Sequence, residues 1–229
     1  MPNLNPTVFI VDQDASLRSS LAVAIRRAGY SAETFGSADA FHSHSRRLIP
    51  SCLVLDISAD LDSPELLRRI ATDREETPVI AMSADADIPM TVAVMKAGAV
   101  EFLTKPLAQE GLLAAVGRAL TRSRAVLEQA AEQLELRKRY ITLSSREREV
   151  MRRVVAGYLN KQVGAALGIS EITVKAHRGK AMRKMGADSL AELVAMAMSL
   201  RLPFEPTAKL LPITWTRNKF AQQVDALSA

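Results

Sequence analysis

The fold class that this chain predicts is an α/β doubly wound parallel sheet followed by an all-α domain. Three observations carry it. Five short, mostly apolar runs alternate with helix-period stretches through residue 120. From residue 141 to residue 200 every pattern is helical. The charge also divides: residues 1–120 hold 11 Lys/Arg against 15 Asp/Glu, and residues 121–229 hold 19 against 10. The resulting net charges, −4 and +9, make the second part the one suited to a polyanion.

The strands are expected at Thr7–Val11, Ser31–Phe35, Cys52–Leu55, Val79–Met82 and Val100–Leu103. Helices of about ten to fourteen residues are expected between them. The first should run from Ala15 to Ala28, with Gly29 placed to end it. Apolar runs without alternation imply strands buried on both faces, and so a five-stranded parallel sheet. Sites in such sheets lie at the carboxyl ends of the strands. Asp12, Asp56, Ser83 and Lys105 all fall at those ends, so they can converge.

The totals bound the rest. A chain of 229 residues with 48% hydrophobic content favours two modest domains with buried cores. The single cysteine, Cys52, sits in the run CLVL and reads as a buried small hydrophobe; no disulfide framework is possible. His42, His44 and His177 form no metal spacing, and His42 and His44 are expected on a solvated helix. No signal peptide and no membrane span are expected, which points to the cytoplasm.

From Gln109 to Tyr140 there is no Pro, and apolar or small residues recur as Leu113, Val116, Leu120, Leu127, Ala130, Leu134 and Ile141. The pattern predicts a helix that runs on as a linker, paired or solvated, with Ser123 and Arg137 interrupting its seam. Ser144 with Glu147 reads as a capping box. A short helix over 161–167 ends at Gly168, Ser170 caps a longer one, and residues 190–200 supply a fourth. The domains are therefore expected at 1–120, 141–202 and a linker at 121–140. The tail at 203–229, with Pro203, Pro206, Pro212 and Trp215, has no assigned role.

A carboxylate that accepts a phosphoryl group needs a divalent cation with hard oxygen ligands beside it. It also needs a hydroxyl and an ammonium to hold the phosphoryl oxygens. Asp56 fits the acceptor, Ser83 the hydroxyl and Lys105 the ammonium. With the stretches TVFIVDQDASLR, CLVLD and DIPMTVAVMKAGAVEFLTKPL, the first 120 residues resemble the flavodoxin-like receiver domain of two-component response regulators of the FixJ type. The resemblance implies that Asp56 is the phosphoacceptor and that Ser83 and Phe102 form the switch. It also implies that Lys105 contacts the phosphoryl group, next to a Lys105–Pro106 peptide that is often cis. Phe102 is expected to prefer an inward position.

Two departures stand out. Where the family carries an acidic pair, this chain has Asp12 and Gln13, so Mg2+ should be held weakly, by Asp12, Gln13, Asp56 and the backbone of Ser58. Asp14 is expected to cap a helix and not to reach inward. The loop after Asp56 reads ISADLDSPELL, with Pro64 at the position of a usual Gly.

In the second half, Val174, Ala181 and Met185 form an apolar stripe on a helix whose other faces are cationic, which fits a major groove. The segment from Leu143 to Val194 resembles the LuxR/NarL-type helix-turn-helix throughout. The resemblance implies that Lys175, Ala176 and Gly179 face bases. Lys161, Ser170, Thr173, Arg178 and Lys180 would then meet the DNA backbone. With Ala and Gly at two base positions, methyl contact and DNA shape should carry much of the readout. His177 is read as packed or beside a phosphate, not as a ligand.

The expected function is a DNA-binding transcriptional response regulator that is not an enzyme. Its partners would be double-stranded operator DNA, a sensor histidine kinase and a second copy of itself. The alternatives are a regulator that no longer uses phosphorylation, and an interaction module that titrates a kinase or another regulator.

Overall fold

The computed structural model describes residues 5–57, 63–84 and 87–202. The chain divides into two compact units, one through Glu132 and one from Gln133. In the first, strands β1 (Thr7–Val11), β2 (Ser31–Phe35), β3 (Ser51–Asp56), β4 (Val79–Ser83) and β5 (Ala99–Thr104) form a parallel sheet ordered β2-β1-β3-β4-β5. Helices α1 (Ala15–Arg27), α2 (Ala38–His42), α3 (Ser63–Asp73), α4 (Ile88–Lys96) and α5 (Gln109–Ile141) follow the strands in turn. β3, β4 and β5 are longer than their apolar runs. The polar Ser51, Asp56, Ser83 and Thr104 at their ends still pair with neighbouring strands.

Successive side chains leave opposite faces of the sheet, so the strands feed two cores. Val8, Ile10, Cys52, Val54, Ile80 and Met82 pack with Leu21, Ile25, Leu112 and Val116 of α1 and α5. Phe9, Val11, Leu53, Leu55, Val79 and Ala81 pack with Phe41, Leu67, Ile70 and Val94 of the other three helices. Burial pushes the Cys52 thiol up to about 12, so the residue acts as the small hydrophobe that its run implies.

Two local expectations need correction. α2 has five residues, half the expected length. The buried Arg74 guanidinium takes the carbonyls of His42 and His44 at 2.9 and 2.5 Å, which a longer helix would use itself. His44 is therefore beyond the helix and not on a solvated face. It sits edge-on to Phe9 and Phe35, with Nε2 3.2 Å from Glu33 Oε2.

α5 is a single helix of 33 residues. Val116 and Leu120 of its seam are buried, while Leu134 and Ile141 are exposed. Ser123 does not interrupt the seam. It is fully buried, its Oγ accepts from the Ser51 amide at 3.0 Å, and it donates to the Glu76 carbonyl at 2.5 Å. Two buried backbone groups, one at the start of β3 and one in the turn before β4, are satisfied by one side chain.

The second unit adds α6 (Ser145–Val155), α7 (Asn160–Leu167), α8 (Glu171–Met185) and α9 (Leu190–Ser199). α6 lies between two clusters. Val150 and Val154 meet Val163 and Val174, and Met151 and Val155 meet Ala181, Met185 and Leu193. Gly168 ends α7 at φ 66°, in the left-handed region that a side chain disfavours. The Ser144–Glu147 capping box forms as expected, and the buried Glu147 carboxylate also takes the Lys184 ammonium at 2.7 Å. No helix among the described residues is long and apolar enough to cross a membrane.

Ser123→Ala should strand the Ser51 amide and the Glu76 carbonyl and lower the stability of the sheet unit by about 1–3 kcal/mol in urea unfolding. The Glu147 carboxyl is held below its ordinary value by the hydrogen bond from Lys184, then by the Ser144 amide. The unfolded chain then binds the proton more readily, so the stabilisation is present above the free glutamate value of about 4.3 and is lost as pH falls through the folded value. Thermal unfolding of wild type and Glu147→Gln should therefore differ most near neutrality and converge in acid.

Candidate acidic pocket and DNA-reading helix

The parallel sheet brings the expected pocket residues together. Asp12 follows β1, Asp56 ends β3, Ser83 ends β4 and Lys105 follows β5. Lys105 Nζ lies 2.9 Å from Asp12 Oδ2 and 2.9 Å from Asp56 Oδ2, so one ammonium bridges both carboxylates. Burial alone would lower the Lys105 pKa. The hydrogen bonds and charges of Asp56 and Asp12 outweigh it and hold the group above its ordinary value. Ser83 is fully buried beside them, and its carbonyl accepts the Lys105 amide at 2.8 Å. The Lys105–Pro106 peptide is cis.

The acidic loop is fixed by its own backbone. Asp12 Oδ1 accepts the Asp14 amide at 2.7 Å, and Asp14 caps α1 by accepting from the Ser16 and Leu17 amides. Asp14 thus faces the helix and not the pocket. Arg18, which the sequence reading passed over, donates to the carbonyls of Asp12 and Gln13 at 2.5 and 2.9 Å. Its only sequence signal is a cation on the first turn of the helix after the loop. Gln13 is exposed at the rim of a cleft of about 50 Å³ lined also by Asp12, Asp56 and Ser37. Phe102 is half-buried and packs against the Phe9–Val94 core. Ser58 lies outside the described residues.

Among the described residues no three His, Cys, Asp or Glu side chains come together. Two carboxylates do, and they already grip one cation from two sides. That donor pair suits Mg2+, which takes one or two carboxylates and fills its octahedron with water and phosphate.

In the second unit the positions expected to meet DNA lie on α7, α8 and the turn between them. Ser170 caps α8, accepting the Thr173 amide at 3.1 Å, and the two hydroxyls are 2.8 Å apart. Val174, Ala181 and Met185 are buried as expected. Lys161, Lys175, Ala176 and Lys180 are exposed, and Arg178 and Gly179 are half-buried. Lys175 Nζ is 3.3 Å from Glu171 Oε1 one turn earlier. Such an exposed pair is worth about 0.3–0.5 kcal/mol, less than a good base contact, so it does not tie Lys175 down. Ile172 is also exposed, and the sequence reading did not single it out.

Comparisons with known proteins identify the two domains. Residues 8–117 match the response regulator receiver domain, and residues 141–197 match the luxR family of bacterial regulatory proteins. Response regulator protein TodT of Pseudomonas putida is 38% identical over 85% of this chain and 86% of its own length. Transcriptional regulatory protein FixJ of Rhizobium meliloti is 38% identical over 84% and 95%. The solved response regulator StyR aligns with a TM-score of 0.72 at 38% identity, covering 85% of this chain and 98% of that one. The chain belongs to the two-component response regulators in which a receiver domain is joined to a LuxR-type DNA-binding domain, and which act as transcriptional regulators.

Proposed function

We propose that this regulator is switched in the cytoplasm by phosphoryl transfer from a sensor histidine kinase to Asp56, with weakly held Mg2+ at Asp12 and Asp56. The observation that carries the reading is the Lys105 ammonium, 2.9 Å from both carboxylates. Mg2+ would supply charge neutralisation for the incoming group. Asp56 would accept it, and Lys105 and the Ser83 hydroxyl would hold its oxygens. Ser83 and Phe102 would relay the change. The division into a receiver at 1–120, a linker at 121–140 and a DNA-binding domain at 141–202 belongs to the same reading.

The active form is a homodimer on two half-sites. Exposed Ile88, Val92 and Met95 recur four and three residues apart on α4 and supply an apolar stripe suited to a second copy. On DNA, Lys175, Ala176 and Gly179 face base edges, while Lys161, Ser170, Thr173, Arg178 and Lys180 hold the phosphates.

One observation favours a second reading. Gln13 leaves the pocket a carboxylate short, which suits a receiver that works without phosphorylation. Acetyl phosphate labelling followed by intact mass separates the two. The first reading expects Mg2+-dependent gain of one phosphoryl group, lost in Asp56→Ala. It also expects Gln13→Asp to lower the Mg2+ concentration for half-labelling by roughly tenfold or more. Labelling of the Asp variant alone would establish the second reading. Equal Mg2+ dependence in both proteins would remove Gln13 as the limiting ligand.

DNA binding should weaken steeply with salt. Lys180→Ala should weaken preferred and random duplexes alike and reduce the salt slope by about 1. Lys175→Ala should cost about 1–3 kcal/mol, mostly on the preferred sequence. Equal losses on both duplexes would move Lys175 to the phosphates.

A further inference from the structure

α8 is amphipathic in an unusual sense. Its inward stripe is apolar, but so is the middle of its outward face. Ile172 is 79% exposed at the second position of the helix. Buried Ala181 lies nine residues on, about 180° round the axis at 100° per residue. Ile172 therefore points directly away from the core and has no packing role in the unit. Ala176 and Gly179, four and seven residues on, share its face.

Nothing in the unit's packing requires a glycine at 179. A Cβ built on Gly179 would meet only Arg183 Nη1, at 3.7 Å, an ordinary contact with a flexible side chain. Glycine inside a helix costs up to about 1 kcal/mol relative to alanine, so its presence here is not explained by folding. What the three residues share is a shallow apolar strip with room for close approach. Lys175 and Lys180 flank that strip at about 60–80° to either side, Arg183 lies at its C-terminal end, and Lys161 is on the preceding helix. A polyanion is what such a frame attracts. The apolar feature that a DNA major groove offers is the thymine methyl group, and the first residues of a recognition helix are the ones that reach base edges.

We infer that Ile172 is a specificity-determining residue that reads thymine methyl groups, with Ala176 and Gly179 keeping the face open for the base edges. The inference rests on the DNA-binding reading and names a residue and a base feature within it. Burial of methyls then adds to the sequence preference that the base contact proposed for Lys175 supplies.

The test uses the full chain treated with acetyl phosphate and Mg2+. Preferred duplexes are selected from a random double-stranded pool. Each thymine is then replaced singly by deoxyuracil, which removes the methyl and leaves the hydrogen-bonding edge intact. Binding is measured for wild type and Ile172→Ser. At one or more positions, wild type should lose about fourfold in affinity per methyl removed. Ile172→Ser should bind the thymine duplex with a similar loss and be indifferent to deoxyuracil at the same positions. Its thermal unfolding should match wild type, because the side chain is exposed. A selected site at which deoxyuracil changes nothing, or changes both proteins equally, would overturn the assignment. A pool that yields no preferred sequence would overturn the DNA reading beneath it.

Discussion

Three charged side chains meet where the parallel strands end, and the first unit is organised around their meeting. A parallel sheet sends every strand out at the same edge, so residues distant in sequence emerge side by side. Asp12 and Asp56 would repel each other there without Lys105, whose ammonium is 2.9 Å from each. The buried sheet supplies rigidity, since both its faces are filled. The loops can then hold a close cluster of charges whose geometry is set by backbone bonds, as at Asp12 and Asp14.

The second unit solves a different problem. It must present a helix with one face locked and the other available. The buried stripe on α8 locks it, and its N-terminus is closed by Ser170 and Thr173 instead of by a neighbouring element. Glu147 does similar work beneath it. It closes the start of α6 and holds Lys184 of α8 in one carboxylate, which couples the two helices. Glu147 is buried and Lys184 is not, so the pair acts less as a source of net stability than as a penalty against misalignment, because the carboxylate alone would be stranded.

Much of this was legible in the chain. The β1 and β2 boundaries match the ranges expected for them, and the caps at Ser144 and Ser170 form where their residue types required. Other features depend on partners far away in sequence. α2 is cut short by Arg74, thirty-two residues after the carbonyl it takes at His42. Ser123 reads as a flaw in an apolar seam because its partners, Ser51 and Glu76, lie 72 and 47 residues earlier. Within the pocket, the residue types announced a cluster, but the bridging position of Lys105 and the support from Arg18 needed coordinates. Exposed Ile172 looked like one more helix residue until its face was set against that of Ala181.

The amide at Gln13 has an electrostatic consequence opposite to its effect on a metal. The charged side chains that meet in the pocket, Asp12, Asp56 and Lys105, sum to −1. A third carboxylate at position 13 would make the sum −2. Any dianion that approaches this mouth therefore meets half the opposing charge. The site that grips a cation less firmly is also the site that resists an anion less, and the two effects move its occupancy by phosphate-like groups in opposite directions.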